Sequence, residues 1–192
     1  APRVQHGFVG IFLPDFVGQH GHRHFNESME ALKYFTPFSS AEFAIREFLK
    51  RDLTRTLAVM ERWSQDENEH VRRLASEGSR PRLPWGAQLK GLIRDPSPTL
   101  PLLRRLQDDP SAYVRRSVAN HLNDIAKDHQ QLLVQWLAEH LPDAPPARRA
   151  LLRHACRALI KQGHPQVLKA WGLGAPLRGE ANLSVAPRRL AV

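Results

Sequence analysis

Three groups of residues in this sequence have types and spacings that fit chemistry. The first is the run Glu77-Gly78-Ser79-Arg80-Pro81-Arg82-Leu83-Pro84-Trp85-Gly86. Glu77 falls in the last turn of a predicted helix, where the helix dipole disfavours an anion by about a few tenths of a kcal/mol. A residue set against a local rule points towards function. Behind it, Arg80 and Arg82 offer paired donors that suit phosphate, and the Trp85 indole offers a face for a base or sugar. The competing reading is an ordinary surface turn with Trp85 packed beneath it. The second group is Ser117, Asn120 and Asp124, which share one helix face at i, i+3 and i+7. Asp124 sits mid-helix, where capping does not explain it. A solvated polar face is the alternative; with Asp124 as a functional carboxylate, Asp124→Asn is expected to lose activity but little stability, since a polar helix position tolerates the swap. The third group is Arg149, Arg153, Arg157 and Lys161. Steps of four drift by about 40° each on a helix, so these cations form one slanted ridge, and a ridge of this kind can follow the phosphates of a nucleic-acid strand.

Other chemistry is poorly represented. His20, His22 and His24 alternate in a glycine-rich segment without the Cys or Glu partners of a metal site, so neither metal nor cofactor is expected. No glycine-rich phosphate loop, nucleophile elbow or paired-cysteine spacing occurs. The single cysteine, Cys156, reads as a small buried helix residue and suits a reducing cytoplasm. No run of about eighteen apolar residues suggests a membrane span. The apolar stretch from Phe8 to Val17 is interrupted by Pro14 and Asp15, unlike a signal peptide. Charge is more telling. The formal net charge is +9, and residues 146–192 hold nine basic side chains against one acid, Glu180, while residues 1–145 are nearly balanced at nineteen to eighteen. That asymmetry suggests a polyanionic partner, with a solvated basic tail as the alternative.

The elements that must position these residues are helices. Ser39 to Arg51 opens with a capping box, Ser39 as N-cap and Glu42 three residues on, with Phe38 and Phe43 as the staple. Leu53 to Trp63 follows with Leu53, Leu57 and Met60 on one face. Asp66 is expected to cap the next helix, which carries Val71, Leu74 and Ala75 and stops at Gly78. Leu100 to Leu106 is a short helix, and Asp109-Pro110 reads as the start of a long one running to about Asp128. Leu132 to Leu141 and an unbroken helix from Pro146 to Gln162 complete the series, and strand-like alternation appears only in Asn182 to Val192. Overlaid, Val71-Arg72-Arg73-Leu74-Ala75 recurs as Val114-Arg115-Arg116-Ser117-Val118-Ala119, 43 residues on, and more weakly as Leu151 to Cys156 after another 37. A helix pair at that interval is near the HEAT period. One pair cannot bury its own apolar face, so the pairs must stack. The expected fold is all-α: a right-handed solenoid of antiparallel helix pairs over residues 1–172, with 173–192 a linker or the start of a further domain.

At these motifs the sequence resembles the HEAT-like-repeat alkylpurine-DNA glycosylases, and within them the AlkC branch. The matching segments are Ser39 to Arg46, His70 to Gly86, Tyr113 to Ile125 and Lys161 to Pro165, within a match over about residues 8–172. The resemblance implies hydrolysis of the N-glycosidic bond of cationic alkylpurines such as 3-methyladenine in duplex DNA, by a monomer acting in base excision repair. Carried over by motif, the catalytic carboxylates are Glu42, Glu77 and Asp124. The implied DNA contacts are Trp85 beside the lesion, with Arg80, Arg82, Asn120, Arg149, Arg153, Arg157 and Lys161. The family also has helices before the first matched segment and a small immunoglobulin-like domain after the repeats, to which Asn182 to Val192 would lead. The runner-up is a non-catalytic nucleic-acid-binding protein of the same fold. A protein-binding scaffold would want apolar or acidic residues where the basic ridge lies.

Overall fold

The structure, a computed structural model, describes residues 8–174, and those residues are helical apart from turns and loops. Glu180, the segment from Asn182 to Val192 and most of the expected 173–192 linker lie outside the described residues. Helices α1 (Phe12–His20) and α2 (Phe25–Phe35) precede α3 (Ile45–Arg51). Three helical hairpins then follow: α4 (Leu53–Trp63) with α5 (Glu69–Gly78), α7 (Leu100–Leu106) with α8 (Ala112–Ile125), and α9 (Gln130–His140) with α10 (Pro146–Ala155). The short α6 (Lys90–Arg94) lies between the first two, and α11 (Arg157–Lys161) and α12 (Pro165–Ala170) close the series.

Each hairpin turns through five residues, 64–68, 107–111 and 141–145, and the first two turns are built alike. Asn68 and Ser111 are the N-caps of α5 and α8, accepting from the amides of His70 and Tyr113 at 2.9 and 3.2 Å. Two residues earlier, Asp66 and Asp109 accept from the amides of Asn68 and Ser111 at 3.0 and 2.8 Å. The first arginine of each Val-Arg-Arg motif ties the turn down. Arg72 donates to the carbonyls of Asp66 and Glu67, and Arg115 to those of Asp109 and Pro110. Asp66 and the Asp109-Pro110 pair are thus turn residues rather than the caps expected of them, because a side chain two residues before the true cap reaches the cap's own amide. Arg72 also crosses to the next hairpin, pairing with Asp109 at 2.7 Å.

Stacking places α5, α8 and α10 side by side, with α5 against α8 and α8 against α10. One continuous core fills the space behind them, through Leu74, Met60, Leu103, Leu122, Leu133 and Leu152. Two expected elements differ. The helix expected from Ser39 begins only at Ile45, and no side chain caps it. Ser40 and Glu42 hydrogen-bond each other at 2.9 Å, and Glu42 is drawn to Arg73 of α5 instead of to a local amide. The helix expected over 146–162 breaks at Cys156, so Arg149 and Arg153 stand on α10 while Arg157 and Lys161 stand on α11. Cys156 is fully buried, and burial pushes its thiol up to about 11, as the inert reading requires. The histidine-rich segment is the end of α1 and the tight turn into α2, where His20 packs on Phe16 and His22 on Phe48. Among the described residues no helix is long and apolar enough to cross a membrane.

Candidate active site

The three carboxylates come from three places in the chain: Glu42 from the turn before α3, Glu77 from the last turn of α5, and Asp124 from the last turn of α8. They meet through arginines. The Arg73 guanidinium lies 2.5 Å from Glu42 and 3.5 Å from Glu77. Arg80 binds Glu77 at 2.6 Å through Nη1 and Asp124 at 2.8 Å through both Nε and Nη2. Lys127 caps the far end, 2.9 Å from Asp124. The result is an alternating chain, Glu42–Arg73–Glu77–Arg80–Asp124–Lys127, with three charges of each sign. Ser117 of α8 donates to Glu77 at 2.6 Å, so the anion at the carbonyl end of its helix has a neutral donor as well as two cations. Burial works against the Arg80 charge, but Glu77 and Asp124 outweigh it and hold the guanidinium protonated. Tyr113 lies against Arg73, 5.0 Å from the ring centroid to the guanidinium.

Exposure separates the expected contacts. Glu77 is 6% exposed and Asp124 1%. The polar stripe is therefore largely interior: Ser117 and Asp124 are buried, and half-buried Asn120 accepts from His154 Nε2 at 3.0 Å. A solvated face would have left these side chains in water; instead Glu77 and Arg80 hold Ser117 and Asp124, and His154 of α10 meets Asn120. Arg80, expected to grip phosphate, is buried between two carboxylates and not presented to a ligand. Arg82 is half-exposed but already holds Asp128 through two bonds of 2.7 and 2.8 Å. Trp85 stands at the other extreme, 99% exposed with φ of +60°, and is not packed under its loop.

Beyond this chain, α8, α10 and α11 enclose a groove of 670 Å³. Arg153, Arg157 and Lys161 of the ridge line it, joined by Arg115, Arg116 and His154, and no carboxylate does. None of these cations forms an ion pair among the described residues. Arg149 lies off the groove, and it and Arg153 lie 5.8 and 5.3 Å from the Trp171 ring centroid. Sequence reasoning missed Arg73, Arg116 and His154. The signal for the first two was present: Arg73 and Arg116 are the second arginines of the repeated motif, and Arg153 takes the same place in the weak third copy.

The model of the DNA alkylation repair enzyme family matches residues 31–159. The uncharacterized protein YhaZ of Bacillus subtilis (strain 168) is 46% identical over 191 residues, covering 97% of this chain and 52% of that protein. The structure of Pseudomonas fluorescens alkylpurine DNA glycosylase AlkC bound to DNA containing an abasic site analog is similar at 54% identity and a TM-score of 0.85, over 88% of this chain and 47% of that one. The chain thus spans about half the length of both relatives. With the repeated hairpins, the shared helical solenoid and the matched family model in agreement, the chain belongs to the DNA alkylation repair enzyme family, with AlkC-type HEAT-like repeats.

Proposed function

We propose that this chain carries the base-excising site of a monofunctional DNA glycosylase acting on cationic alkylated purines of the 3-methyladenine type in duplex DNA. The observation that carries the proposal is the convergence of Glu42, Glu77 and Asp124 through Arg73 and Arg80, at the foot of the loop that presents Trp85. Alkylation at a purine ring nitrogen gives the base a positive charge and makes it a good leaving group. When the C1′–N bond breaks, its electron pair neutralises the base, and the sugar becomes an oxocarbenium cation that water captures with loss of a proton. Such a path needs little general-acid help. It needs anions near the sugar and a placed water, which ionised carboxylates provide. In this reading Glu42, half-buried and at the outer end of the chain, meets solvent and sugar most readily. Glu77 and Asp124 supply the field behind it, Trp85 lies against the lesion, and the groove cations hold the phosphates.

The repeat domain expected over residues 1–172, a monomeric state and a cytoplasmic site of action belong to the same proposal. The runner-up, a nucleic-acid-binding protein without catalysis, draws on the complete pairing of Glu77 and Asp124. Incubation with methylated duplex DNA separates the two: free alkylbase released at a rate proportional to protein supports the glycosylase, while DNA binding without base release refutes it.

A further inference from the structure

Arg46 takes no part in the carboxylate chain, yet among the described residues it is the largest fully buried side chain, 1% exposed. It makes no ion pair among the described residues. Its guanidinium instead donates to three carbonyls, one at the end of α5 and two in the loop that follows: Nη1 to Gly78 at 2.9 Å and to Arg80 at 2.7 Å, Nε to Ala87 at 2.7 Å, and Nη2 to Ala87 as well. These carbonyls bracket the segment that carries Arg80, Arg82 and Trp85. The backbone closes tightly around α3. A Cβ on Gly78 would come within 2.5 Å of Ile45 Cγ2, and one on Gly86 would lie 3.4 Å from Arg46 Nε and 3.1 Å from Leu83 Cδ2.

A buried cation is costly unless every donor is used, and a methionine or leucine would fill the same space without that cost. What only arginine supplies is a rigid planar fork able to span three carbonyls at once. The loop needs such a fixture. Trp85 is almost wholly solvent-exposed, so little but its backbone can hold its direction. That backbone is in the left-handed region, which is unfavourable for a residue with a Cβ and persists only where its surroundings impose it. Few bonds within the loop do so: Gly86 N donates to Leu83 O at 3.2 Å and Leu89 N to Pro81 O at 3.1 Å.

We infer that Arg46 is the positioning residue of the 78–87 loop, fixing both the backbone from which Arg80 reaches Glu77 and Asp124 and the direction in which Trp85 stands. The consequence for excision rests on the glycosylase reading, but the consequence for the loop does not. The test compares the wild-type protein with Arg46→Lys, which keeps the charge but cannot span three carbonyls. Amide exchange over residues 79–89 should speed up about tenfold or more, while α8 and α10 stay protected. The single-turnover excision rate should fall about tenfold at unchanged affinity for undamaged duplex, and most of that loss should vanish in a Trp85→Ala background. Unchanged loop exchange, or an equal loss of rate in both backgrounds, overturns the inference. Should Arg46→Lys not fold, Arg46→Met fills the same space without a buried charge and likewise removes the span across the three carbonyls. It must show the same local exchange, and wild-type exchange there overturns the inference equally. A wild-type protein that binds DNA but releases no base refutes the glycosylase reading, and the exchange measurements still decide the role of Arg46.

Discussion

Replacing Glu77 with glutamine removes one anion from the centre of the charge chain while keeping its volume and the hydrogen bond from Ser117. The size of the effect follows from the pairing. An unpaired carboxylate about 4 Å from an oxocarbenium gives roughly 4 kcal/mol at an effective dielectric of 20, or about a thousandfold in rate. Glu77 is not unpaired, because Arg80 lies 2.6 Å from it. A guanidinium about 7 Å from the same cation opposes it by about 2.4 kcal/mol, leaving a net contribution near 1.6 kcal/mol, or about fifteenfold. The substitution removes the anion and leaves the opposing arginine, so the full 4 kcal/mol is the ceiling and fifteenfold the floor. A loss of about a hundredfold in the single-turnover excision rate is expected, at nearly unchanged affinity for undamaged duplex. The assay is release of free alkylbase from methylated DNA at saturating protein, run well below the melting point because Glu77 is buried. Excision within threefold of wild type would show that Glu77 only anchors Arg80 and has no part in stabilising the oxocarbenium.

Three other outcomes follow from the same geometry. Asp124→Asn should abolish most excision and also lower the melting temperature by several degrees, since it strands Arg80 in a buried position; an unchanged melting temperature would contradict the pairing. Replacing Arg153 and Lys161 with alanine should weaken binding to damaged and undamaged duplex alike and flatten the log–log salt slope by about 0.9 for each phosphate that is no longer neutralised; an unaltered slope would show that the groove does not hold phosphate. His121 is fully buried, and burial, with the nearby Arg80 and Arg46 charges, pushes its imidazole down to about 3. Its folded pKa lies below its unfolded one, so the unfolded chain takes up the proton first and stability is lost as pH falls from about 6.5 towards 3. Urea titrations should show about 2 kcal/mol less stability at pH 5 than at pH 7, and much less of a difference in His121→Gln; equal stabilities of the wild type at both pH values would refute it.

Much of the helical frame was legible because its signals are local and repeated. The 43-residue echo of Val-Arg-Arg marks α5 and α8, which pack together as a stacked repeat requires. What escaped local reading was competition from residues one repeat away. Ser39 and Glu42 fit a capping box, yet Arg73, more than thirty residues on, takes the Glu42 carboxylate. Asp124 on a helical wheel belongs to a polar face, but Arg80 and the neighbouring helices bury it. Arg80 itself read as a free phosphate grip because nothing within its own loop shows that two carboxylates converge on it. The break at Cys156 was hidden for another reason: Pro146 to Gln162 contains no glycine or internal proline to mark it.

The successive repeats also impose a direction. Four residues after the second arginine of each motif stand Glu77 on α5, Asn120 on α8 and Arg157 on α11, so equivalent positions run from negative through neutral to positive across successive repeats. A duplex laid over this surface would meet a charge-balanced carboxylate chain on one side of a damaged nucleotide and cations without ion-pair partners among the described residues on the other. Protection from hydroxyl-radical cleavage should then extend unequally about the lesion, farther on the side that faces α10 and α11, and the molecule would engage a strand in one polarity rather than either.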